Sequence, residues 1–277
     1  MAQPVNNQGL LRPPQGSKPR NYKTDALVLR AYAMRDADRL VMALTPQLGK
    51  LKLAVRGARR LTSKLGGHLD VLNRVHLAIA IGHTFDVVTG AESVETFPKV
   101  KGDLDRLAAA LYLMELADLL LPEGAAHTNA YQTLLEALRA LEDGRGIAIV
   151  VRYTELAMLA DAGYMPELHT CLICGREIQP DHHRFAPATG GIVCDRCEVV
   201  TGALIPVTVQ GLKVLRHFAS RATMEATNLV LNPSLHHELE ALLGASVRHV
   251  LERELHAAGF IDHLQRLRVQ GVPDAPG

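Results

Sequence analysis

All four cysteines of the chain fall in one short stretch, as Cys171-Leu-Ile-Cys174-Gly175 and, after 19 intervening residues, Cys194-Asp-Arg-Cys197. Two residues between ligands let one tight turn aim both sulfurs at a single ion, and Gly175 can adopt the positive φ that such a turn often requires. The pattern is the sequence form of a closed, tetrahedral four-thiolate site for one Zn2+, with Cys171, Cys174, Cys194 and Cys197 as ligands. Four thiolates leave no open position for water or substrate, so this zinc is expected to be structural. Rubredoxin-type iron would use the same ligands, but the polar segment around Arg176, Glu177, Asp181, His182 and His183 offers a redox centre little shielding. A thioredoxin-like pair would need a βαβ setting that is absent. His169, His182 or His183 could replace a thiolate, although four sulfurs suffice. Four cysteines in 277 residues do not make a disulfide scaffold.

Upstream of this site the hydrophobic period changes once. Between Lys23 and about Val100 there are short apolar runs rich in Val, Leu, Ile and Thr: Ala26–Leu29, Arg39–Thr45, Lys50–Arg56, Val75–Ile81 and Thr84–Thr89. The last two flank a hairpin turn at Gly82-His83. Five strands in about 75 residues predict a small antiparallel barrel. From Leu104 the spacing is helical. Asp103 is the expected N-cap, Pro122-Glu123-Gly124 the stop, and further helices fit 130–142, 147–161, 209–220 and 234–258. The expected class is therefore α+β and multidomain, a five-stranded antiparallel barrel followed by an α-helical domain that a four-cysteine zinc-finger module interrupts. The expected divisions are a disordered tail over 1–21, the barrel over 22–100, helices over 101–167, the zinc module over 168–205 and helices again over 206–277. No apolar run reaches the ~18 residues of a membrane helix, and Met1 to Arg20 holds no hydrophobic stretch like that of a secretory signal, so a cytoplasmic protein is expected.

The net charge of +1 hides an asymmetry. Residues 1–100 hold 15 Lys and Arg against 7 Asp and Glu, and the remainder holds 15 against 22. Lys50, Lys52, Arg56, Arg59, Arg60 and Lys64 form the densest run, with no acid among them, and Arg35, Arg39 and Arg74 can join from neighbouring strands. Such a face suits a polyanion, with affinity supplied by counterion release from phosphates. The first hundred residues offer only Tyr22, Tyr32, Phe85 and Phe97 for stacking, and the chain has no Trp, so the expected grip is on the backbone and leaves bases free. A solvated charged face is the plain alternative, as is a zinc-stabilised protein-interaction scaffold with no direct DNA role. No phosphate loop, G-x-G-x-x-G, H-E-x-x-H or G-x-S-x-G motif is present, and only Asp36 and Asp38 lie close together in the basic region, where Arg35 and Arg39 can neutralise them. A nuclease would need more.

Ala26-Leu-Val-Leu-Arg30, Asp38-Arg-Leu40, Thr45-Pro-Gln-Leu-Gly-Lys50, Arg56-Gly-Ala-Arg-Arg60, Tyr112-Leu-Met-Glu-Leu116 and the two cysteine knuckles, taken in this order, resemble the bacterial recombination mediator family RecO over roughly residues 22–270. Met1 to Asn21 has no place in that pattern, and Asp36-Ala37 stands where many relatives have Glu-Ser, so no role passes to those two positions. The resemblance implies that the barrel is an oligonucleotide-binding (OB) fold and that the protein is not an enzyme. It also implies binding of single- and double-stranded DNA, annealing of complementary strands, and assistance to RecA loading on DNA coated with single-strand-binding protein (SSB), together with RecR and often through the SSB C-terminal tail. Such a protein works in the cytoplasm at the nucleoid, in DNA repair and recombination after DNA damage.

Overall fold

The computed structural model describes residues 21–34, 38–58, 65–181, 183–198 and 202–252. Five strands, β1 (Asn21–Ala33), β2 (Arg39–Thr45), β3 (Gly49–Val55), β4 (Arg74–Ala80) and β5 (Asp86–Glu95), close into a barrel in the order β1-β2-β3-β5-β4. Four of the five pairings are antiparallel. The closing pair is parallel, Leu53 opposite Asp86 and Ala54 opposite Val87, the one departure from the antiparallel barrel expected from the sequence. The reason is topological. β5 has already paired with β4, and it meets the far edge of the sheet, β3, running the same way.

β1 is much longer than its apolar run because its two halves have different partners. Asn21–Leu27 pairs with β4 and Leu27–Ala33 with β2, with a bulge at Val28/Arg30 where the strand changes partner. Alternation explains why β1 and β2 read as near-continuous apolar runs. Ala26, Val28, Val41 and Ala43 fill the barrel with Leu51, Leu53, Val75, Leu77 and Ile79, while Leu27, Leu29, Met42 and Leu44 face outward into a second core shared with the helices. Strands buried on one side only, such as β4, keep the alternation of buried and wetter positions.

After a short helix α1 (Pro98–Gly102) come α2 (Leu104–Leu120), α3 (Thr128–Glu142) and α4 (Ile147–Asp161). Asp103 caps α2 as expected, its carboxylate accepting from the amides of Asp105 and Arg106. A three-stranded sheet in the order β7-β6-β8 follows, from β6 (His183–Ala186), β7 (Gly191–Val193) and β8 (Ile205–Val207). Then come α5 (Val209–Ala219), a single 3-10 turn (Met224–Thr227) and α6 (Pro233–Leu251). The expected end of the last helix, 253–258, lies outside the described residues, as does the expected tail apart from Asn21. One continuous core runs from the outer face of β1 and β2 through the helices to Cys171 and Cys194.

Candidate metal centre and nucleic-acid interface

Each cysteine knuckle contributes one buried sulfur and one nearer the surface: Cys171 and Cys194 inside, Cys174 and Cys197 outside. The first knuckle is a backbone turn, with the Gly175 amide donating to the Cys171 carbonyl at 2.9 Å and the Cys171 amide to the Arg176 carbonyl at 2.8 Å. Gly175 takes the expected positive φ, 68°. The four Sγ atoms all lie within 4.8 Å of one another, with Cys174 to Cys194 at 3.9 Å and Cys194 to Cys197 at 3.6 Å. Ligands about 2.3 Å from a tetrahedral ion stand roughly 3.8 Å apart, whereas a disulfide brings sulfurs to about 2.05 Å. The thiol set therefore fits one metal ion and is not a pair of disulfides. Among the described residues only the four cysteines cluster, and Nε2 of His183 is hydrogen-bonded to the Gln179 carbonyl, so neither His169 nor His183 joins them, while His182 lies outside the described residues.

Arginines hold both knuckles. Arg216 of α5 donates to the carbonyls of Leu168 (2.9 and 2.7 Å) and Ile178 (3.0 Å), closing the base of the first loop. Arg184 of β6 donates to the carbonyls of Cys194 (3.2 Å), Asp195 (3.5 Å) and Cys197 (2.5 Å), wrapping the second. Arg176 donates to the Cys174 sulfur at 3.4 Å. Its backbone amide and its guanidinium pull the Cys174 thiol down to about 6, toward the thiolate a metal needs. Nothing in the spacing singled out Arg184 or Arg216; they reach the knuckles only through the fold.

The nine cations proposed for DNA separate into three groups. Arg35, Arg59, Arg60 and Lys64 lie outside the described residues. Lys50 and Arg74 are corrections. Lys50 does share an outer face of β3 with Lys52, but α2 covers that end. Its ammonium is buried, 3.3 Å from a carboxylate oxygen of Asp118 and 2.5 Å from the Asp118 carbonyl, with Arg30 also reaching Asp118 at 3.5 Å. Gly49 makes this approach possible, because any Cβ there would fall on the Ala125 carbonyl and its φ is +68°. Arg74 is engaged by Asp25 at 2.7 Å and Glu95 at 2.8 Å, and Arg139 of α3 completes the network on Glu95 at 2.7 Å. Both cations join the barrel to itself or to the helices and leave the DNA-facing set.

Arg39, Lys52 and Arg56 remain. Arg56 is exposed in the turn that follows β3. Arg39 opens β2 opposite Val55, so it points to the mouth of the barrel, where it is 3.8 Å from Asp70. Lys52 lies on the outer wall with its ammonium 5.8 Å from the centre of the Phe85 ring. Arg39 and Arg56 belong to the end of the barrel where β2 begins and β3 leaves, whereas Lys52 lies mid-strand opposite Met42, on the other face of the sheet from Arg39. Of the four aromatics, Phe97 is buried and the Tyr22 hydroxyl donates to Asp86 at 2.7 Å, which leaves Tyr32 and Phe85 near the surface.

A family model described as "Recombination protein O N terminal" matches residues 20–97, and one described as "Recombination protein O C terminal" matches residues 101–258. The chain belongs to the RecO family. It is 36% identical to a DNA repair protein RecO of Roseiflexus sp. over 258 residues, covering 93% of this chain and 91% of that one. The protein of the same name from Dehalococcoides mccartyi is 34% identical over 249 residues (90% and 98% covered), and that from Desulforudis audaxviator 36% over 244 (87% and 96%).

Within this RecO family DNA repair protein, several of the motifs that carried the resemblance turn out to be structural. Thr45-Pro-Gln-Leu-Gly-Lys50 is the turn that seats the barrel on the helices, with Thr128 donating to the Pro46 carbonyl at 2.6 Å. In Tyr112-Leu-Met-Glu-Leu116 the apolar residues are core, and the buried Tyr112 hydroxyl donates to Glu155 of α4 at 2.5 Å. Burial and the neighbouring Glu155 hold the Tyr112 phenol far above its ordinary value. Among the described residues no helix is long and apolar enough to cross a membrane.

Proposed function

We propose that this chain is a non-enzymatic recombination mediator of DNA repair. It binds single- and double-stranded DNA mainly through the phosphate backbone, anneals complementary strands, and with RecR assists RecA loading on SSB-coated DNA, partly through the SSB tail. The observation that carries the DNA part is the exposed Arg56 turn at a barrel end where Arg39 also lies, with Lys52 on the outer wall of the same strand and few aromatics near the surface. Arg39, Lys52 and Arg56 make the contacts, joined by Arg35, Arg59, Arg60 and Lys64. In this reading residues 22–100 are the DNA-binding domain, and the work is done at the nucleoid in the cytoplasm. The ion held by Cys171, Cys174, Cys194 and Cys197 is a single structural Zn2+, which supplies a cross-link between the two knuckles and no chemistry on substrate.

Strand annealing measured across a salt series tests the reading. Neutralising about five phosphates gives a log–log slope of single-strand binding near −3.5. Changing Arg56, Arg59 and Arg60 together to Glu should abolish annealing, and a flat salt response or unaltered annealing would refute the proposal. Metal analysis of freshly purified protein should return one zinc per chain.

A further inference from the structure

Asp38 is an acid in the middle of the basic region, and counting charges alone would make it a hindrance to phosphate. The structure gives it other work. Its backbone carbonyl accepts from the Met34 amide at 3.0 Å, closing the connection from β1 to β2. Its carboxylate oxygen Oδ1 accepts from the Gly57 amide at 2.7 Å, across to the turn that leaves β3. Gly57 has φ of +63°, a conformation that strains any residue bearing a Cβ. The next residue, Ala58, is buried in the barrel core, and the preceding one, Arg56, is exposed. The turn is thus fixed from below by the Ala58 methyl and from the side by Asp38, which leaves the arginine outward.

We propose that Asp38 is a positioning residue for nucleic-acid binding: its carboxylate clamps the Gly57 amide and so presents Arg56 to phosphate. This rests on the phosphate-binding reading above. The role needs an acceptor oxygen at that point and does not need the negative charge, so two substitutions should act in opposite directions. Asp38→Ala removes both acceptor and charge. Asp38→Asn keeps an oxygen acceptor and removes the charge alone.

The full-length protein is titrated with a fluorescent 20-nucleotide thymidine strand at several salt concentrations, with Arg56→Ala as the reference variant. Asp38→Ala is expected to weaken binding about three- to tenfold, the loss of one hydrogen bond, even though an acid has been removed. Asp38→Asn should bind as tightly as the parent or more tightly. Amide hydrogen exchange at Gly57 should quicken about tenfold or more in Asp38→Ala and stay slow in Asp38→Asn. If Asp38→Ala does not fold, Asp38→Ser is compared with Asp38→Asn instead, the shorter hydroxyl losing binding that the amide oxygen retains. Tighter binding by both the Ala and Asn variants would overturn the proposal in favour of simple repulsion. Unchanged Gly57 exchange in Asp38→Ala would overturn it directly. Unchanged binding by Arg56→Ala would instead remove the phosphate-binding reading, and the proposal with it.

Discussion

Lys50 and Lys52 alternate onto the same face of one strand, two residues apart, and their fates are opposite. Lys50 lies under α2 in contact with Asp118, whereas Lys52, at the middle of β3, stands over the Phe85 ring. The same division runs around the barrel. Along β1, β4 and β5 the charges are tied up, with Asp25 joined to Arg74 and His76, and Glu95 to Arg74 and Arg139. At the end where β3 leaves, Arg56 is open to solvent. A cation's neighbours in sequence therefore say little about its role. What decides is whether the fold brings an acid within reach, from a covering helix as at Lys50 or from neighbouring strands as at Arg74.

The comparison breaks most visibly at Lys50. Its side chain and that of Asp118 are 8% and 9% exposed, so truncating one strands the other's charge in the interior. Lys50→Ala should lower stability by about 3 kcal/mol, at the low end for a buried pair because Arg30 still reaches Asp118. Chemical denaturation measures this. The salt slope of single-strand binding should not change, and a reduced slope would return Lys50 to the DNA-facing set.

Arg74 is the second case, less buried and with two carboxylates. Arg74→Ala should cost about 1–2 kcal/mol and again leave the salt slope alone. If it weakens DNA binding while stability is unaltered, the division of the barrel into a tied and an open side is wrong.

How much of this was legible beforehand follows from range. The metal centre was, because each knuckle is made within four residues and its ligands are all of one kind. So were most of the helices and the five strands of the barrel, since an apolar period is a local property, whereas the three short strands β6, β7 and β8 were not. The parallel closure of β3 on β5 was not, because it depends on which edges remain after the other strands have paired. Neither was the destination of Lys50, whose partner Asp118 is 68 residues further along the chain. A separation of 48 residues from Leu168 likewise hid Arg216 behind the first knuckle. Of the basic run, Lys50 is buried while Arg56 is exposed, a difference that the run's composition does not carry.

Acid should loosen the tied side. Hydrogen bonds from Arg139 and then Arg74 hold the Glu95 carboxyl down to about 2, against an ordinary value of about 4.5. A carboxylate with a lowered folded-state pKa contributes stability that is complete above about pH 4.5 and is lost as the pH falls toward 2. The parent should therefore be more stable than Glu95→Gln at pH 6, and the gap should close progressively below pH 4.5. A gap that stays constant from pH 6 to pH 2.5 in thermal unfolding would mean that the guanidiniums do not reach Glu95 in solution.

The smallest change in stability belongs to Lys52, and it is the sharpest counterpart to Lys50. Its half-exposed side chain touches the face of Phe85, a contact that contributes about 0.5–1 kcal/mol at such a site. Lys52→Ala should shift unfolding far less than Lys50→Ala does. If Lys52 neutralises one phosphate of a single strand, the same substitution lowers the log–log salt slope by about 0.7, whereas Lys50→Ala leaves it intact. Two alanine substitutions two residues apart would then separate cleanly, one in the denaturation curve and the other in the salt titration. Should both move the denaturation curve and neither the slope, β3 carries no phosphate contact, and the nucleic-acid face reduces to the turn that begins at Arg56.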